Sequence, residues 1–205
     1  MDIQKFVENL LILQDQALAR WKAAAVISDP YMTQQGVLRE VEENHWFNYC
    51  LWLAEDKARR EDQGYQFVYE AKRAIDTFNQ QRNNRMEKID SACIDIFQPC
   101  SPEKSVLHSE TPGMMIDRLS ILALKIYHMH IQTCRSDVDE SHRESCTYKW
   151  QILLLQRKEL GQCLIELLEA VRLGSRTFRI YQQFKMYNDK TLNPELYHTQ
   201  NIPCA

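Results

Sequence analysis

The chain has 205 residues, 44% of them hydrophobic and 26% charged, and a formal net charge of −3. That length suffices for one well-buried core, so a single domain over 1–205 is expected. The acidic balance argues against nucleic-acid partners, because no basic excess exists to displace counterions, and no apolar run approaches the length of a membrane span.

Only five glycines and six prolines interrupt the chain, and long Leu/Ala/Glu/Lys/Arg/Gln segments lie between them. The pattern predicts an all-α fold, a bundle of about six helices with a long central helical hairpin. The N-terminus lacks the basic-then-apolar order of a secretory signal. A first helix is predicted over 2–25, with Phe6, Leu10, Leu13, Ala17 and Trp21 spaced for one buried face. Ser28-Asp29-Pro30 ends it. A second helix follows over 36–60, and a third over 65–97 with a bend allowed near 82–85. After a loop at 98–113, Thr111-Pro112 reads as an N-cap with proline at the first helical position, opening a fourth helix that runs to about 135. A polar linker at 136–139 leads to a fifth helix over 140–173, which Gly174 is placed to end in a left-handed cap. A sixth is predicted over 176–187. The tail 188–205, with Pro194 and Pro203, is expected to pack on the bundle or fray. The seven cysteines show no CxxC pair and no zinc spacing, which predicts reduced thiols and a cytoplasmic location. Cys50, Cys93 and Cys163 read as small core residues.

The polar residues of the second and third helices carry the functional reading. At about 100° per residue, Lys72, Asp76, Asn79, Gln80, Asn83, Glu87 and Asp90 share one narrow face. Ile75, Phe78, Met86, Ile89 and Cys93 form an apolar stripe beside it. Short amides and carboxylates suit fixed hydrogen bonds better than a solvated surface does. The second helix repeats the theme: His45, Asn48, Trp52, Glu55, Asp56 and Arg59 fall within an arc of about 100°. Joined by the short 61–64 connection, the two helices should pack antiparallel, with their polar stripes facing each other.

Three readings of that seam compete. In the first, Glu55, Asp56, Asp76, Glu87 and Asp90 pair with Arg59, Lys72, Arg73, Arg82 and Arg85 in a network that fixes helix register. In the second, the seam lines a pocket for an anionic sugar phosphate or nucleotide. Arg59, Lys72 and Arg73 would then meet phosphate, Asn48, Asn79 and Asn83 would read hydroxyls or a base edge, and Trp52 would stack on a ring. In the third, Glu87 and Asp90, at ExxD spacing, hold Mg²⁺ with Glu55 and Asp56, as all-helical nucleotide pyrophosphohydrolases of the MazG type do. A hard cation wants several acids with few competing bases, and here the balance is even.

The run from Ser109 to Leu122 is the other notable segment. It reads as a capped helix start whose apolar residues are core, or as an anion seat at the backbone around Gly113. Asp117 and His128 share a face and can line one cavity, whereas His128 and His130 point about 200° apart and make no metal motif. His45 is a candidate general acid or base, its ordinary pKa lying near neutrality. Lys185 and Asn188 are candidates to close the pocket.

These segments resemble the bacterial domain of unknown function 4254 family. The matching residues are His45, Asn48, Leu51, Trp52, Glu55, Asp56, Ala58 and Arg59, then Lys72, Arg73, Ile75, Asp76, Asn79, Gln80, Arg82 and Asn83. Glu110-Thr111-Pro112-Gly113, Met115 to Leu122, and Phe184 to Asp189 continue the match. One departure is Asn84, where an acid is expected, which weakens any metal site on that turn. The resemblance brings no established activity. It implies proximity to glycosyltransferases in lipopolysaccharide and surface-polysaccharide clusters, and hence a role around nucleotide sugars or the transferases that use them. A binding protein is the leading reading. A Mg²⁺-dependent nucleotide or nucleotide-sugar hydrolase or transferase is the runner-up, and a scaffold docking a glycosyltransferase the third.

Overall fold

Side-chain caps open three of the long helices in this chain, whereas the second and third start after glycines that make no side-chain cap. The computed structural model describes residues 1–23, 33–101, 103–184 and 189–197. Among them lie five long helices: α1 (Ile3–Ala23), α2 (Val37–Ala58), α3 (Tyr65–Phe97), α4 (Pro112–Thr133) and α5 (Glu140–Arg172). Asp2 accepts the Lys5 N–H at 2.9 Å and opens α1. Thr111 accepts the Met114 N–H at 3.2 Å with Pro112 next in line, and Asp139 accepts the His142 N–H at 2.7 Å. Each cap satisfies a donor that the first helical turn leaves free. Gly174, at φ +73°, ends α5. The Ser175 N–H reaches the Ala170 carbonyl and the Gly174 N–H the Val171 carbonyl, both at 3.0 Å, the paired bonds of a Schellman cap. The five long helices thus match the expected all-α bundle, and α3 is one continuous helix through 82–85.

The predicted sixth helix is not formed. Arg176–Thr177 (β2) instead pairs in parallel with Val106–Leu107 (β1), and residues 178–184 are not helical. Tertiary contacts override helix propensity here: Phe178 joins the main core, and the buried Thr177 hydroxyl donates to the Cys100 carbonyl at 2.7 Å. Residues 185–187 of that expected helix lie outside the described residues, as do Lys185, Asn188, Pro203 and Cys204. Within the tail, Asp189 accepts from the backbone and hydroxyl of Thr191, and Asn193 caps a one-turn α6 (Pro194–Tyr197).

The main core lies between α1, α3, α4 and α5, where Leu10, Ile89, Ile116, Leu119, Leu164 and Leu168 are essentially sealed. The expected face of α1 is buried throughout. A second cluster packs Ala17, Leu18 and Trp21 of α1 on Tyr49 and Leu124. In a third, Leu51, Ala54 and Ala58 of α2 meet Ala71 and Ile75 of α3, which makes the two helices an antiparallel hairpin. Glu42, fully buried, fixes the approach to α2 by holding Arg20 and the N–H groups of Thr33 and Gln34. The described cysteines are all free thiols. Cys93 is a core residue as expected. Cys163 is exposed, and Cys146 takes the buried place instead.

Helix α3 crosses the start of α4 at very close range. The Gly113 N–H donates to Asp90 Oδ1 at 2.6 Å. A Cβ at Gly113 would stand 2.5 Å from the Met86 carbonyl oxygen and 2.8 Å from Asp90 Oδ1. Alanine is the better helix former by about 1 kcal/mol, yet Gly113→Ala should destabilise the fold by about 2 kcal/mol through overpacking. A urea midpoint that fails to fall would show that the two helices can separate freely there.

Candidate functional site

The N-cap at Thr111 sets the register of α4 so that Asp117 and Ser120, three residues apart, share a face toward α2. Asn44, His45 and Asn48 of α2 meet them. The Asn44 and Asn48 side-chain amides both donate to Asp117 Oδ1, at 2.9 and 2.8 Å. Asn48 also donates to Ser120 Oγ at 3.0 Å and toward Asn44 Oδ1 at 3.4 Å. Ser120 Oγ lies 2.7 Å from His45 Nδ1. All five residues are buried. From α3, Arg82 Nε approaches Asp117 Oδ1 at 3.7 Å.

Burial holds the His45 imidazole down to about 3, the Arg157 guanidinium adds to the effect, and the Gln14 backbone opposes it. The ring is therefore neutral at physiological pH and sealed from solvent. Arg157 ties α5 to α1 through Asp15 at 2.7 Å, the Leu11 carbonyl at 3.0 Å and Gln14 at 3.1 Å.

Above this knot opens a cleft of about 280 Å³. Asn48, Trp52, Glu55, Asp56 and Arg59 line it from α2, Arg82 from α3, and Ile121 and Leu124 from α4. Trp52 stacks on His128 with ring centroids 4.3 Å apart and planes 9° from parallel. Trp52 and Asp56 also border a second cleft of about 710 Å³ between α4 and α5, where Lys125, Lys149, Gln132 and Gln156 face it. Burial lowers the His128 pKa, Lys22 lowers it further, and Asp56 works against both. Arg59 is engaged by Glu55 on its own helix at 2.8 Å. Arg82 is different: its guanidinium makes no hydrogen bond among the described residues and has only the longer approach to Asp117.

The expected facing of two polar stripes across α2 and α3 is corrected by this arrangement. Small residues on both helices let an apolar seam form between them, which turns the start of the α3 stripe outward. Lys72 and Arg73 are exposed, and Arg73 pairs with Asp76 at 3.2 Å on the outer face. Asn79 is half-buried, and so is Gln80, which donates to Asn84 at 2.8 Å. Asn83 is buried. Arg85 leaves the proposed network to pair with Glu40 and Glu43. Farther along α3, Glu87 accepts the Gln183 N–H at 2.9 Å and Asp90 the Gly113 N–H. Each ExxD carboxylate thus holds a backbone donor with one of its oxygens. Among the described residues no three His, Cys, Asp or Glu side chains gather as a metal-holding group. His128 and Asp117 belong to one region but not one cavity: Asp117 lies beneath the smaller cleft and His128 lines the larger.

Asn44 and Ser120 were not singled out by the helical wheel, though the spacing that links Asn44 to Asn48 and Asp117 to Ser120 is visible in the sequence. Among the described residues no helix is long and apolar enough to cross a membrane. The family model described as Protein of unknown function (DUF4254) matches residues 38–180, a span that takes in the knot and both clefts. No curated protein and no solved structure matches the chain.

Proposed function

Since this chain belongs to the DUF4254 family, a family of unknown function, its role has to be read from the site, and we propose that it binds an anionic sugar-phosphate or nucleotide-type ligand in the cleft around Trp52. The observation that carries the reading is Arg82, a cation without a hydrogen-bond partner among the described residues, lining the same cleft as an aromatic ring and two carboxylates. A guanidinium suits phosphate, an indole suits a sugar or base, and Glu55 and Asp56 suit hydroxyls. Lys125 and Lys149 beyond Trp52 give a diphosphate or a longer anion room to continue. Such ligands are the activated sugars of surface-polysaccharide synthesis, which would place the protein in the cytoplasm beside the glycosyltransferases that consume them. The metal-dependent reading has less support, because no third His, Cys, Asp or Glu gathers with Glu87 and Asp90 among the described residues.

A thermal-shift screen with nucleotides, nucleotide sugars and sugar phosphates tests this. A ligand at a hundred times its Kd adds about 2.7 kcal/mol of stability. The shift should disappear in Arg82→Gln and survive in Lys72→Gln, whose side chain lies on the outer face. Absence of a shift with every compound in the panel would refute the reading.

A further inference from the structure

Hydrogen-bond accounting in the knot leaves two side chains with an unspent group: His45, whose Nε2 is sealed, and Asn48, whose free atom is not. The Asn48 amide nitrogen has two protons and three acceptors around it: Asp117 Oδ1, Ser120 Oγ and Asn44 Oδ1. Its carbonyl oxygen accepts from no donor among the described residues, and it is not one of the sealed polar atoms left without a partner. The remaining opening is the 280 Å³ cleft that Asn48 lines.

The amide cannot turn over cheaply. Asp117 Oδ1 already accepts from the Asn44 amide, so a flipped Asn48 would set one acceptor oxygen 2.8 Å from another. The Asn44 amide donates to the same carboxylate oxygen, which leaves its own oxygen facing Asn48. Asp117 therefore dictates which end of Asn48 looks into the cleft. The Arg82 guanidinium, which approaches the same Asp117 oxygen at 3.7 Å, lines that cleft beside Asn48.

We infer that Asn48 Oδ1 is the acceptor with which this cleft selects phosphates carrying a hydroxyl, and that Asp117 is the residue positioning it. The inference rests on the ligand reading given above and narrows it to a hydrogen-bond donor held beside the anion. A site built around a fixed acceptor rejects an analogue lacking the donor, because the acceptor is then buried unpaired.

The test uses glycerol 3-phosphate and propyl phosphate, which share an anion and a size but differ in their hydroxyls. Calorimetric titration of the whole chain should show glycerol 3-phosphate binding about tenfold tighter, the equivalent of one good hydrogen bond. In Asn48→Leu the ratio between the two probes should collapse to about one, whatever the variant does to their common affinity. Arg82→Gln should weaken both probes and leave the ratio standing. Equal binding of both probes by the unaltered chain overturns the acceptor role while the ligand reading survives. Binding of neither at millimolar concentration overturns both. A measurement that needs no variant runs alongside: in ¹⁵N-resolved spectra both Asn48 side-chain amide protons should exchange slowly with solvent. Exchange as fast as that of an exposed asparagine would overturn the orientation itself.

Discussion

Asp117→Ala should cost the fold about 4 kcal/mol, because it strips the acceptor from buried amides and from a guanidinium at once. Asn44 would keep a buried donor with no acceptor, and Asn48 would lose its shortest bond and fall back on Ser120 Oγ and the distant Asn44 Oδ1. Arg82 is partly exposed, so solvent would recover some of its loss. Asp117→Asn retains an acceptor and the shape, and should lose about half as much. Urea unfolding at an unchanged denaturant slope is the measurement. A cost below about 1 kcal/mol for the alanine variant would mean that the knot is open to water.

The second large effect is a dependence on pH centred on Asp90. Burial raises this carboxyl from 3.8 to about 6, with Glu87 adding to the rise, while the Thr111 hydroxyl and the Gly113 N–H pull it back. A folded-state pKa above the unfolded one means that the folded protein holds the proton more tightly. The stabilisation is complete below about pH 4 and is lost as pH rises through about 6. About two pKa units correspond to about 3 kcal/mol. Asp90→Asn keeps an oxygen for the Gly113 N–H and carries no charge at any pH. Relative to the unaltered chain, its stability should therefore improve by about 3 kcal/mol between about pH 4 and pH 8. A difference between the two proteins that stays flat across that range would show Asp90 ionised at little cost in its buried place.

The helices were legible because their signals are local. Thr111-Pro112 and Gly174 act within one turn of themselves, and the structure uses both as predicted. The false helix after Arg176 failed for the opposite reason. What decides that segment is a partner strand far away in sequence and the demand of Phe178 for core volume. The site shows the same division. The arc of α2 from Asn48 to Arg59 does border one cleft. A helical wheel cannot say which neighbour that arc meets, and the neighbour is α4 with Arg82, not the Lys72–Asp76 face of α3. The alanines at 54, 58, 71 and 74 were the available clue, since small residues mark where two helices approach closest.

The two-residue ladder between Val106–Leu107 and Arg176–Thr177 has a mechanical consequence. Together with the Ser105 hydroxyl bond to the Gly174 carbonyl at 2.6 Å, it fastens the open end of the α4–α5 hairpin, whose other end is fastened by the 134–139 turn. Pinned at both ends, these helices behave as a closed clip and hold a constant spacing. The open end of the α2–α3 hairpin is held by side chains instead, through the ion pairs of Arg85 with Glu40 and Glu43. Partly exposed ion pairs yield more readily than a backbone ladder, so any widening of the Trp52 cleft to admit a bulky guest would draw on that hairpin, with α4 as the fixed anvil.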